Sequence, residues 1–85
     1  MADEIDGAKV IKYTHTGSFG YVEWNDGEEK EIRILAICNY DDKEECYLFA
    51  CDEQLNVLGD TLHDSIEDAM KAAKDIYEQE VINWL

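Results

Sequence analysis

Apolar residues in this chain fall into short, strand-like runs until a single late stretch, where their spacing becomes helical. The change happens within residues 46–77. Tyr47-Leu48-Phe49-Ala50 is short and aromatic-rich, which suits a central strand. A polar break at Asp52-Glu53-Gln54 precedes a second run, Leu55-Asn56-Val57-Leu58, closed by Gly59-Asp60. Ser65 then offers an N-cap, with Asp68 near the capping-box position three residues on. Ile66, Ala69, Met70, Ala73, Ile76 and Tyr77 lie on one stripe, which predicts an amphipathic helix from about Ser65 to Gln79. Glu67 with Lys71 and Lys74 with Glu78 pair opposite charges one turn apart on its outer side. Val81, Trp84 and Leu85 either extend that stripe or fold back.

Upstream, residues 1–7 are polar and are expected to be loose. Residues 10–15 carry β-branched and aromatic side chains and predict a first strand. Thr16-Gly17-Ser18 is a turn, residues 19–24 a second strand, and Asn25-Asp26-Gly27 a hairpin signal. Residues 31–40 predict a third strand, 46–51 a fourth and 55–58 a short fifth. The expected fold is α+β in a single domain spanning 1–85. An antiparallel sheet of four to five strands, a β-meander, carries one C-terminal amphipathic helix packed on one face.

The two central strands are apolar on both sides. The third offers Ile32, Ile34, Ala36 and Cys38 to one face and Leu35 and Ile37 to the other; the fourth sets Leu48 and Ala50 against Tyr47 and Phe49. An antiparallel sheet with one wet face alternates polar with apolar instead. The second face therefore calls for a cover, which could be the C-terminal tail, a second copy in a homodimer, or a partner.

Charge changes the picture most. Seven basic residues against 21 acidic ones give −14, beyond the magnitude of about 2–8 that solubility asks of a small domain. Such a field repels nucleic acid and anionic lipid and draws basic proteins by fast, salt-sensitive association. The expected partner is a basic protein, with no direct nucleic-acid binding and no membrane. Solubility alone is the plainer use of the charge. Hydrophobic residues at 46% exclude a disordered chain. No apolar run nears the roughly 18 residues of a membrane span, and no secretory leader pattern opens the chain, so a cytoplasmic location is expected. Three cysteines, Cys38, Cys46 and Cys51, make a poor disulfide framework and read as reduced, buried small hydrophobes.

Nothing in the spacing calls for catalysis, metal or cofactor. His63 beside Asp60 and Asp64 reads as a helix-start residue, and Gly17-x-x-Gly20 lacks the lysine of a phosphate loop. Residues 25–29 are too compact for a calcium loop. The candidate surface is instead acidic. In a meander Asp26, Glu28, Glu29, Asp52 and Glu53 gather at one end of the sheet. Asp41, Asp42, Glu44 and Glu45 gather at the other, joined by Asp60 and Asp64. Tyr21 and Trp24, with Tyr13, supply aromatic anchors.

The stretch 47–77 combines the Tyr47-Leu48-Phe49 run, the Gly59-Asp60-Thr61 turn and the helix start His63-Asp64-Ser65-Ile66-Glu67-Asp68-Ala69. It resembles small bacterial proteins built as a sheet plus a C-terminal helix. In size and acidity the chain is similar to the immunity proteins that neutralise nuclease toxins, including those of contact-dependent inhibition systems. That resemblance carries over no individual residue. It implies a non-enzymatic inhibitor that occludes a basic site such as a nuclease active cleft. A nucleic-acid mimic acting on a DNA-binding or defence enzyme is an alternative reading, as is a small homodimeric accessory protein with no catalytic role.

Overall fold

The computed structural model describes residues 3–23, 27–41 and 43–85. Among them the chain forms β1 (Glu4–Ile5), β2 (Ala8–Tyr13), β3 (Tyr21–Glu23), β4 (Glu29–Glu31), β5 (Ile34–Asn39), β6 (Cys46–Cys51), β7 (Val57–His63) and α1 (Ile66–Ile76). Five strands make one antiparallel sheet in the order β1-β2-β5-β6-β7, and β3 with β4 makes a separate two-stranded hairpin. The fold is α+β. It departs from a plain meander because the β3–β4 hairpin leaves the sheet between β2 and β5.

That excursion breaks the third strand expected over 31–40. Ile32 exchanges backbone hydrogen bonds with the hairpin side, its N–H donating to Gly20 O and its carbonyl accepting from Phe19 N–H. Arg33 then donates its N–H to Cys51 O, at the end of β6. The backbone changes partner between these two residues, so Ile32 lands in the opposite apolar cluster from Ile34.

Of residues 1–7, expected to be loose, 1 and 2 lie outside the described residues and 3–7 are not uniformly loose. Glu4 and Ile5 pair with Lys9 and Ala8 across a two-residue Asp6-Gly7 turn whose φ angles are 54° and 81°. Positive φ at both central positions is the turn that matches strand twist, and Asp-Gly is among its preferred sequences. Ile5 is thereby buried.

The strand expected at 55–58 lies further along, running through Gly59 and Asp60 to His63. Its start is displaced by an Asp52-centred loop. One Asp52 carboxylate oxygen accepts from the N–H of Gln54 and of Asn56, both at 2.9 Å, and the other from Asn56 Nδ2 at 2.9 Å. This Asx geometry holds Leu55 at φ 66°.

Ser65 caps α1 as expected, its Oγ accepting from Asp68 N–H at 3.1 Å. The helix ends at Ile76, short of Gln79. Glu78 sits at φ 53° and Gln79 N–H reaches back to Lys74 O, a Schellman closure with glutamate where glycine is usual. The tail folds back: Trp84 bridges Thr14, and Leu85 N–H donates to Tyr13 O.

Two apolar clusters occupy the two sides of the sheet. Leu35, Ile37, Leu48 and Ala50 join Ala69 and Ala73 of α1, with Phe19 and Val22 of the hairpin arm and Ile82 and Trp84 of the tail packed against them. Ile34, Ala36, Cys38, Phe49 and Cys51 join Ile5 and Ala8, with Val10, Tyr13, Tyr47, Leu55 and Val57 alongside. The second face is therefore covered by its own strands and the Asp52 loop, while the tail lies on the other side. Bulges in β2 near Ile11 and in β7 near Leu58 bend those strands, and a bulge sharpens local twist. Curling of this kind lets edge residues from Ile5 to Val57 close over Phe49, which is only 2% exposed.

Two stability outcomes follow. Replacing Glu78 by Gly relieves the left-handed backbone and removes a negative charge from a helix C-terminus, so thermal unfolding should rise by about 5 °C, near 1 kcal/mol. A fall would show that Glu78 makes a contact worth more than its backbone strain. For Asp52, partial desolvation pushes its pKa up, but hydrogen bonds from Asn56 and Gln54 outweigh this and hold it below 3.8. A depressed carboxylate stabilises above its unfolded pKa and loses that contribution as pH falls through the folded one. Asp52→Ala should thus cost about 1 kcal/mol in urea unfolding at neutral pH, a gap that narrows below about pH 4. A pH-independent gap would contradict this.

Candidate functional site: a groove beside an open sheet edge

The acidic residues picked out in the sequence do not form one converged site. Asp26, Asp42 and Trp24 lie outside the described residues. Glu28 and Glu29 are exposed on the hairpin arm, and Asp41, Glu44 and Glu45 are exposed in the β5–β6 connection. Asp52 is committed to its loop. Glu53 is 3.4 Å from Arg33 Nη2, and Arg33 Nη1 donates to Glu31 at 2.9 Å. Ser18 Oγ donates to Glu31 at 2.7 Å; that bond, then the guanidinium, holds the Glu31 carboxyl below its ordinary value. The strand end near the hairpin is thus acidic but crossed by Arg33. Asp60 is not a turn residue; it sits mid-strand on β7, opposite Phe49.

A different feature stands out. The hairpin arm and the C-terminal end of α1 both contribute residues to the Leu35–Leu48 cluster and to the lining of a gap beside it. Phe19, Tyr21 and Val22 form one wall, Ile76 and Tyr77 the other, and Ala50 with Gly59 the floor. The volume is about 640 Å³ and the groove is open to solvent. That is within the range of ligand sites, but they are mostly enclosed, and an open groove suits protruding side chains better. Tyr21 is 63% exposed and Ile76 48%, so both leave apolar surface open to solvent at the groove. Burial on the opposite wall pushes the Tyr77 phenol up, so it stays neutral.

Gly59 makes the floor. A Cβ built there meets no atom within 4 Å, and its φ is not left-handed, so neither backbone nor packing requires glycine. A strand glycine of this sort often marks close approach by another backbone or a ligand. The described charged residues lining the groove are Asp60 and Glu78, both acidic, although strand alternation sets the Asp60 side chain on the face of Phe49, opposite that of the groove. Of the aromatic anchors expected from sequence, Tyr21 is here; Tyr13 lies in the second-face cluster instead.

No protein-family model matches this chain, and no curated protein and no solved structure matches it. The groove therefore has to be read from its own chemistry. Among the described residues no three His, Cys, Asp or Glu side chains come together as a metal-binding group. Nor is any described helix long and apolar enough to cross a membrane. Thr61 Oγ1 and His63 Nε2 lie 2.6 Å apart, a same-face strand pair. The groove residues Gly59, Ile76 and Tyr77 had a readable signal only in the lone glycine inside a strand; which helix residues stay uncovered depends on where the hairpin lands.

All three cysteines are free and buried. Burial, then neighbouring Cys51 and Cys46, pushes the Cys38 thiol up to about 12; burial, then Asp52, pushes Cys51 up to about 12. Cys46 is raised by burial and its Sγ donates to Glu44 O at 3.3 Å. Such thiols carry almost no thiolate near neutrality. Alkylation of the folded chain at pH 8 should be slow at all three positions and complete within minutes once urea unfolds it; rapid modification of the native protein would contradict their burial.

Proposed function

We propose that this protein is an acidic, non-catalytic binding module that works in the cytoplasm and occludes a basic site on a protein partner, such as the active cleft of a nuclease. The observation that carries the reading is the pairing of a −14 chain with an open apolar groove that has Glu78 in its lining and, among the described residues, no cationic side chain. Helix α1, packed on one face of the sheet, supplies one wall of that groove. Exposed carboxylates at Glu28, Glu29, Asp41, Glu44 and Glu45 set the long-range field that steers a cationic surface inward. Tyr21 and Ile76 then provide the contact area that a steering field alone does not. An apolar centre within a charged surround is the usual anatomy of a specific interface.

The test begins with the tagged chain as bait in a lysate of the organism that encodes it, washed at low and then high salt. The captured protein is purified and its association rate measured. Glu28→Lys with Glu29→Lys should slow association by about tenfold and flatten its dependence on salt. Tyr21→Ala should instead speed dissociation. The captured partner, if a nuclease, should lose activity when bound. Unchanged association by the charge-reversed variant would sink the acidic-docking reading.

A further inference from the structure

We propose that β7 is a docking edge: an extended segment of the basic partner adds to it as an antiparallel sixth strand and drops a large apolar side chain into the groove over Gly59. This rests on the basic-partner reading above and names the segment that would bind.

The two edges of the sheet differ. β1 has two residues, too few to template a strand, whereas β7 has seven and contains neither lysine nor proline, the residues that commonly blunt an edge. Among the described residues, backbone hydrogen bonds of residues 58–62 run to β6 and to no other element. The outer side of β7 is thus a row of main-chain donors and acceptors directly beside the groove.

Charge selects the occupant. In the centred antiparallel pairing of two copies, the middle residue of β7 meets itself, so Asp60 would face the Asp60 of a second copy. Like charges directly opposite destabilise a strand pair, and each chain already carries −14. A foreign strand with Lys or Arg opposite Asp60 removes that penalty. Partners across an antiparallel pair share a face, so the remaining preferences follow from the ladder. Asp60 and Leu62 share the face of Phe49 and Tyr47; Gly59 and Thr61 share that of Ala50 and Leu48. Leu62 is 54% exposed and asks for an apolar neighbour. Gly59 asks for an aromatic one, which would cover its bare backbone and reach Ile76 and Tyr77. Read along the incoming strand, the order is apolar, any, Lys or Arg, aromatic.

A capped peptide Lys-Leu-Thr-Lys-Trp-Thr-Lys, titrated at low salt into the isotope-labelled chain, tests this by nuclear magnetic resonance. The expected result is shifts at the β7 amides and at residues 76–79, with exchange of the β7 amides slowed. N-methylation of alternate peptide amides, which removes ladder donors, should weaken binding by about tenfold or more. So should Gly59→Val, which fills the groove at a site with room for it. Asp60→Lys is the second variant, with Asp75→Lys on the exposed helix side as the matched charge control; only the former should lose affinity strongly. Equal binding by the methylated peptide and by Gly59→Val would overturn strand addition while leaving an acidic binder intact. No shift with either peptide up to millimolar concentration would take the basic-partner reading down with it. Shifts at β7 that depend on protein concentration without peptide would give the edge to a second copy and overturn the proposal.

Discussion

Two adjacent strands that are apolar on both faces set the terms for everything else in this molecule. β5 and β6 place Leu35, Ile37, Leu48, Ala36 and Phe49 at 2% exposure or less, on alternating sides. A domain of 85 residues has little chain left for covering two faces, since small domains bury only about 60–65% of their unfolded surface. Residues of the helix, the hairpin arm and the tail all join the cluster of Leu35, Ile37 and Leu48. The other side is closed by the curl of the sheet itself and by Leu55, held left-handed over it by the Asp52 loop. Leu55 and Asp52 are thus parts of one device: the carboxylate fixes the turn, and the turn delivers an apolar side chain.

The three short elements that share the Leu35–Leu48 cluster leave a gap where they fail to meet, and the groove over Gly59 is that gap. It follows from the hairpin leaving the sheet between β2 and β5 and from α1 stopping at Ile76. Acid concentrates on the outside because the inside is almost wholly apolar: the described buried residues include one polar side chain, Thr14, whose Oγ1 accepts from Leu35 N–H at 3.1 Å. Self-repulsion from −14 works against the compact state. Binding to the proposed cationic partner would relieve that repulsion.

Much of the fold was legible along the chain. The helix start at Ser65, the fourth strand at 46–51 and the apolar character of both sheet faces read directly from spacing and capping chemistry. What failed did so for identifiable reasons. Asp6-Gly7 was a hairpin turn obscured by polar neighbours, so β1 went unseen. Gly59-Asp60 resembled a turn, yet the turn had already been made by Asp52. The break at Ile32-Arg33 leaves no periodicity signal, because both halves of the run remain apolar and only the hydrogen-bond partner changes. The cover of the second face was sought in a tail or another chain; β-bulges near Ile11 and Leu58, which close it from within, have no marker in sequence. Of the groove-lining residues, Tyr21 stands out in the sequence as an aromatic and Gly59 does not, since a groove is a relation between elements rather than a property of a run.

The chain by itself covers both faces of its central strands. Amide hydrogen exchange of Ile34–Asn39 and Cys46–Cys51, measured at several protein concentrations, tests it most directly. These amides should exchange only through global unfolding, with the same protection at every concentration. Protection of β5 and β6 that grows with concentration would mean a second copy covers the sheet, and would contradict it.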